Sequence, residues 1–294
     1  QKQIKSVEKE ITIFHAKAVN EVLKKSKIKV DYLGFHGQTI FHNAKQKITK
    51  QLGDGKLLSK LTKKKVVYDF RQNDLKNGGE GAPLTPIFHS LIANKYQLIP
   101  PNIFLNIGGI TNFTYLGKSF DKGKKTIKNW YANDLCLGNC LIDQWIRKKA
   151  KKNFDKDGKI AKSGKISNKR LKEALQNYKV IKKNSLDIKD FNLSFVNGLS
   201  LKDGTATLTE YTAQVLANHL MVHILDNIKI ILCGGGRKNK FLIKKIKKKI
   251  PYKVLLIDDY GINGDFVESQ AFAYLAIRSF LKLPISFPET TGCE

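Results

Sequence analysis

Apolar residues recur at helical spacing along the first 25 positions, at Ile4, Val7, Ile11, Phe14, Ala18, Val22 and Leu23. That period predicts one long amphipathic helix over 3–25 with this face buried. VDYLGFHGQTIFH (30–42) then reads as a buried strand that breaks at Gly34 and resumes after Gly37, with His36 and Gln38 in the break. QLGDG (51–55) is a turn before a helical LLSKLTKK. A β-branched strand from Val66 ends in Asp69-Phe70-Arg71, ahead of a glycine-rich polar loop containing Gly78-Gly79-Glu80-Gly81. A helix follows Pro86 to about Asn94. YQLIPPN (96–102), with its paired prolines, is the clearest linker and the candidate domain boundary.

Beyond it, IFLNIGGITNFTYLG (103–117) predicts a strand, a Gly108-Gly109 turn and a second strand. In NWYANDLCLGNCLIDQW (129–145) a strand ends at Asn133-Asp134, a short loop holds Gly138-Asn139, and a helix begins at Leu141. The loop 154–167 contains Asp155-x-Asp157-Gly158, the start of a calcium-loop pattern, but the remaining ligands and the closing glutamate are absent, so no metal is expected. Residues 180–200 are irregular. An N-capped helix spans 203–225 with Asp203 and Thr207 at its entrance. IKIILCGGGRKNKFLIKKI (228–246) is strand, Gly-triplet, helix, and VLLIDD is a short strand. A last helix at 265–281 carries Glu268 in its first turn. Strands alternating with helices in this way indicate an α/β protein.

Chemistry is most concentrated around Asp134. In open α/β sheets, ligands collect outside the carboxyl ends of the strands, and amides at a helix start hold anions. Asp134 is therefore the candidate general base of a phosphoryl-transfer enzyme, against the plainer reading of a helix N-cap. Gly108 and Gly109 offer backbone amides in a phosphate-sized nest, although such turns are commonly structural. Gly234, Gly235 and Gly236 stand at a strand-to-helix junction suited to a nucleotide. They do not form the GxGxxG dinucleotide fingerprint, and no acidic residue follows at its spacing. Asp69, Arg71 and the 78–81 loop are placed to face a ligand. His36 is read either as part of that group or as a hydrogen-bonded core histidine. The helix dipole by itself accounts for Glu268.

Composition narrows the class. The 294 residues suffice for one large or two ordinary domains, and a hydrophobic content of 41% argues against disorder. No apolar run approaches the ~18 residues of a membrane span. The charged N-terminus has no signal-peptide core and no Met, which suggests an upstream piece. A net charge of +28 invites nucleic acid, yet only five of the basic residues are arginine and the lysines are scattered over every segment. The lysines of 244–249 read as the solvated face of a helix. A positive field still attracts anionic small molecules. Cys136, Cys140, Cys233 and Cys293 form no CxxC pair and are read as free thiols of a reducing cytoplasm.

Taken together, GFHGQTIFH, VVYDFRQNDLKNGGEGAPLTP, FLNIGGITNFTYL, NDLCLGNCLIDQW, DGTATLTEYTA, ILCGGGRKN and DFVESQAFAYLAIRSFLKLPISFPETTGC resemble, in order, the anhydro-N-acetylmuramic acid kinase family. The resemblance covers nearly the whole chain. It implies the actin-like ATPase (ribonuclease H-like) fold, with two domains about a ligand cleft: 1–100 with the tail 282–294, and 101–281. It implies a cytoplasmic enzyme of cell-wall recycling that uses ATP and Mg²⁺ to phosphorylate O6 of an amino sugar while water opens the anhydro ring. By this resemblance Asp134 is the catalytic base, and His36, Gln38, Asp69, Arg71 and Glu268 line the sugar pocket. Asn106, Gly108 and Gly109 lie near the phosphates, and Gly234, Gly235, Gly236 and Asn239 near the adenosine. No metal ligand, nucleic acid or membrane partner is implied, and a homodimer is compatible.

Three departures accompany the resemblance. The family's opening Gly-Thr-Ser-x-Asp-Gly phosphate loop is not in the chain, so the chain as given is expected to bind ATP poorly. The family's Asp-Thr-Gly-Pro-Gly-Asn is here 134–139, DLCLGN, without two turn formers. Ile188 stands where the family usually has an arginine. The alternatives are another sugar or acetate-type kinase of the same superfamily, or a truncated sugar-binding relative without turnover.

Overall fold

The computed structural model describes residues 2–117, 130–181, 186–223 and 228–293. In chain order its elements are α1 (Lys2–Lys25), β1 (Tyr32–Phe35), β2 (Gln38–Asn43), β3 (Ile48–Leu52), α2 (Gly55–Thr62), β4 (Lys65–Tyr68), α3 (Gln72–Lys76), α4 (Pro86–Lys95), β5 (Asn102–Ile107), β6 (Ile110–Leu116), β7 (Trp130–Leu137), α5 (Cys140–Lys149), α6 (Lys159–Lys162), α7 (Asn168–Gln176), α8 (Leu201–His223), β8 (Lys229–Cys233), α9 (Lys240–Lys247), β9 (Lys253–Leu256), α10 (Val267–Phe280) and α11 (Pro288–Thr291). The protein is mixed α/β. Contacts divide it into two compact units, Gln1–Ile92 with Glu268–Glu294, and Ala93–Val267. The first unit thus gathers helix α10 as well as the tail, whereas the expected division kept 265–281 in the second domain.

In the first unit β1 and β4 pair in parallel, with Leu33 opposite Val66, and β2 and β3 form an antiparallel hairpin. The Asp54 carboxylate starts α2 by accepting from Leu57 N at 2.9 Å. Two expectations need correction. The strand does not break at Gly34. It continues to Phe35, because a glycine at 34 lets the α10 backbone at Phe272 pack against it where a Cβ would collide. The break falls at His36-Gly37, where Gly37 takes a φ of +74°. Nor does α1 bury the predicted apolar stripe: Ile4, Val7, Phe14 and Val22 are exposed. The covered face centres on Thr12 and Ala16, whose small side chains admit close neighbours. Ala16 packs with Phe35 and Leu58, and Thr12 Oγ1 accepts from Asp54 N at 3.0 Å.

The second unit is built on a five-stranded sheet in the order β7-β6-β5-β8-β9. β5 and β8 are parallel, as are β8 and β9, while β6 runs antiparallel to both β5 and β7. Alternate residues of β5 (Ile103, Leu105, Ile107) and β8 (Ile230, Leu232) share one apolar core with α5 and α8. Helix α8 begins at Leu201, two residues before the expected cap. Ser200 Oγ accepts from Asp203 N at 3.1 Å, and the Asp203 carboxylate instead takes Lys165 N at 2.7 Å. Asp155 holds the start of α6 by accepting from Ile160 N and Ala161 N, at 2.8 and 2.9 Å. The basic run 244–249, at the end of α9 and just beyond it, is not wholly solvated, since Lys245 and Lys249 pair with Glu210 of α8 at 2.8 and 2.7 Å. Among the described residues no helix is long and apolar enough to cross a membrane.

Candidate active site

Because β6 reverses direction between them, β5 and β7 run the same way, and β8 runs with β5. Their carboxyl ends, at Ile107, Leu137 and Cys233, therefore open onto one edge of the sheet, and a glycine turn follows each. The first two turns are joined backbone to backbone: Gly138 N donates to Gly109 O at 2.9 Å and Asn139 N to Gly108 O at 2.8 Å. Asn139 Nδ2 adds a bond to Gly108 O at 3.2 Å. A Cβ at Gly138 would fall on the Gly108 carbonyl oxygen, so glycine is required for this approach. The third turn joins them through Gly236, which packs on Ile107 and the Asn139 amide, and through Gly234, which packs on Asn106 Oδ1.

The structure brings Asn106, Gly108, Gly109, Gly234, Gly235 and Gly236 together at this edge. It also qualifies the nest expected at Gly108-Gly109. Gly108 N donates to Ile110 O at 3.1 Å, and both glycine carbonyls are acceptors for the β7–α5 turn. Asn239 lies a little farther along, where its Oδ1 caps α9 by accepting from Leu242 N at 3.0 Å.

Asp134 does not end its strand. β7 runs three residues further, to Leu137, with Leu135, Cys136 and Leu137 all buried. The missing turn formers have thus become strand, because apolar residues there gain more by entering the core. The register absorbs one extra residue. Asn112 faces Asp134 and Thr111 faces Cys136, leaving Leu135 as a bulge, a device that re-aims the neighbouring side chain. Asn139 precedes α5, so the N-cap reading of Asp134 falls. Partly buried, Asp134 accepts from Leu186 N through Oδ2 at 2.8 Å. Burial raises its pKa, and this amide opposes the rise.

In the first unit His36 and Arg71 form a pair. Arg71 Nε donates to His36 Nε2 at 3.1 Å, and since guanidinium cannot accept, Nε2 is the bare nitrogen. His36 Nδ1 then carries the proton and donates to Gly37 O at 2.9 Å. Burial first, and Arg71 second, push the His36 pKa down to about 4. Its ring packs on Phe272 with centroids 4.4 Å apart. Burial lowers the Arg71 pKa, and Glu268 in the first turn of α10 opposes that. Asp69, at a φ of +62°, and Gln38 are both exposed. The neutral histidine has a stability consequence. With a folded pKa of about 4 against 6.5 when free, His36 takes up a proton preferentially on unfolding. Its contribution is therefore complete above about pH 6.5 and lost as pH falls toward 4, by roughly 3 kcal/mol. Denaturant unfolding at pH 7 and pH 4.5 should show this loss shrinking in His36→Gln, and an unchanged difference would contradict it.

Sequence reasoning missed several contributors. Asp74 is buried and accepts from Gly81 N at 2.6 Å and from Thr291 Oγ1 at 2.7 Å, bracing the glycine loop. Its signal was a lone carboxylate just before Asn-Gly-Gly. Arg237, inside the Gly-triplet turn, was visible as one of only five arginines in a lysine-rich chain. Nothing in the sequence marked Leu186, because its backbone does the work. Among the described residues no group of three His, Cys, Asp or Glu is arranged to hold a metal ion.

The sequence model of the family described as anhydro-N-acetylmuramic acid kinase matches residues 1–294. A relative from Pelagibacter ubique named anhydro-N-acetylmuramic acid kinase is 50% identical, over 99% of this chain and 79% of its own length. One of the same name from Zymomonas mobilis is 38% identical, over 96% of this chain and 76% of its own. Among solved structures, the activator of 2-hydroxyisocaproyl-CoA dehydratase from Clostridium difficile aligns with a TM-score of 0.41 at 14% identity, covering 80% of this chain and 86% of its own. By its motifs, their order and this extent of identity, the chain belongs to the anhydro-N-acetylmuramic acid kinase family.

Proposed function

We propose that the chain is an ATP-dependent kinase that opens the ring of 1,6-anhydro-N-acetylmuramic acid and phosphorylates the freed O6. The observation that carries this reading is a partly buried carboxylate, Asp134, on the strand that runs into the interlocked glycine turns, in a member of this family. Asp134 takes a proton from water, the water oxygen bonds to the anomeric carbon, and the C1–O6 bond breaks. O6 then bonds to the γ-phosphorus and the bond to ADP breaks, giving N-acetylmuramic acid 6-phosphate. Such a transfer depends chiefly on positioning and on stabilising spread-out charge. The turns at 108–109 and 234–236 are the nucleotide side of this proposal. His36, Gln38, Asp69, Arg71 and Glu268 are its sugar-recognising side. Mg²⁺ would accompany the ATP phosphates, keep several of its own waters and offset phosphate charge, and it needs no dedicated protein cage. A cytoplasmic location follows from the need for ATP.

Incubation with the anhydro-sugar and ATP in heavy-oxygen water tests this. The product should gain one phosphate and one labelled oxygen, with ADP release dependent on the anhydro-sugar. ATP turnover on ordinary hexoses instead, or a product that keeps its anhydro ring, would sink the reading.

Arg71 is assigned the sugar's lactyl carboxylate, since a guanidinium already aligned by His36 offers its remaining donors as a planar fork. Arg71→Lys should raise the KM for the sugar roughly tenfold or more, because lysine keeps the charge but not the fork. Unchanged sugar affinity would remove Arg71 from that role.

A further inference from the structure

Arg237 is the one arginine among the nucleotide-side turns, and its side chain is 4% exposed. Nε donates to Asp258 Oδ2 at 2.6 Å and Nη2 to Asp258 Oδ1 at 3.1 Å, a two-pronged pairing. Nη1 donates to Asp265 Oδ1 and to the carbonyl of Gly234, each at 2.9 Å. Asp265 is further paired with Lys238, and Asp258 Oδ1 also accepts from Gly264 N at 3.3 Å. A Cβ on Gly264 would land on the guanidinium, so the 258–265 segment is moulded closely around it. The guanidinium plane therefore fastens the first glycine of the triplet to a turn more than twenty residues later in the chain.

That fastening acts where the backbone is least constrained by itself. Gly234 sits at φ 75° and ψ 174°, a region open to glycine alone, and glycine loses more freedom on ordering than any other residue. The space beside Gly235 is open, so a ligand can approach the turn from that side. Mutual attraction between Arg237 and its two carboxylates supports the arrangement, raising the arginine pKa and lowering those of Asp258 and Asp265.

We propose that Arg237 is a positioning residue for the nucleotide: held by Asp258 and Asp265, it fixes the Gly234–Gly236 turn in its receiving shape without touching the ligand. The inference rests on the kinase reading above. A turn that is already ordered avoids the entropy of ordering at the moment of binding, and that saving appears as affinity. Lysine cannot take the place of Arg237, because one ammonium cannot bridge two carboxylates and a carbonyl in a plane.

The test measures binding of adenylyl imidodiphosphate by calorimetry, and steady-state KM values for ATP and for the anhydro-sugar, in the unaltered chain and in Arg237→Gln, Arg237→Lys and Asp265→Asn. Nucleotide affinity should fall about tenfold or more in both Arg237 variants and by less in Asp265→Asn, while the KM for the sugar stays within about twofold. Asp265→Asn takes the charge from a partly exposed partner that pairs with Arg237 and Lys238, and it serves if the Arg237 variants fail to fold. Equal affinity in all variants, or a loss shared evenly between nucleotide and sugar, would overturn the proposal and leave the kinase reading standing. Failure of the unaltered chain to bind nucleotide would overturn both.

Discussion

Asp134→Asn should lower kcat by roughly 10²–10⁴-fold, the range over which a positioned general base contributes. Asparagine preserves the size of the side chain, and its Oδ1 can still accept the Leu186 amide that now holds Oδ2 at 2.8 Å. The change therefore removes proton-accepting power without opening a cavity, and the melting temperature should hardly move. The pH dependence carries a second mark. Burial lifts the Asp134 pKa above the usual 3.8, with the Leu186 amide opposing. The base works only when ionised. Activity should accordingly fall, as pH is lowered, at a higher pH than an ordinary aspartate would dictate. Steady-state phosphoryl transfer across pH measures both effects. Near-normal turnover in the variant, or an acid limb at the ordinary aspartate value, would remove Asp134 from the reaction.

Trp145→Ala should cost about 3–5 kcal/mol of stability, the usual range for deleting a large buried aromatic. The indole is fully buried, and its Nε1 donates to Leu201 O at 3.2 Å. Gly204 of α8 is glycine because a Cβ there would strike this ring, so the helix is moulded around it. Lys149 lies 5.0 Å above the ring centroid. Against a typical total of about 5–15 kcal/mol the loss is severe. Activity should fall with it, since α5 carries the Gly138-Asn139 turn that interlocks with Gly108 and Gly109. Trp145→Phe keeps most of the packing and loses one hydrogen bond, worth about 1 kcal/mol. Denaturant midpoints decide the matter: equal losses in the two variants would show that ring volume is not what holds α5 to α8.

Much of the second unit was legible in its residues. Runs such as IFLNI and IIL are too apolar and β-branched for anything but covered strands, and Gly108-Gly109 between two of them leaves little choice but a hairpin. The strand-to-helix step at 233–240 follows from local chemistry in the same way. Less could be read where several segments compete for one surface. The apolar stripe of α1 looked buried, yet its covered face is set by the small Thr12 and Ala16, because which side of a helix packs depends on the shape of what arrives. Leu135 to Leu137 read as a loop from the family's turn formers, but the core behind β7 drew them into the sheet.

By itself, the sequence determined the alternation of strands and helices and the family, since each depends on neighbours a few residues apart or on residue order alone. The tertiary structure decided what those residues touch. The Leu186 amide on Asp134, the neutral His36 beneath Arg71, Asp74 beneath the glycine loop and the arginine clasp on Gly234 all join positions distant in the chain. The reason is physical: a hydrogen bond acts over about 3 Å, and only folding brings groups from distant positions that close while shielding them from water.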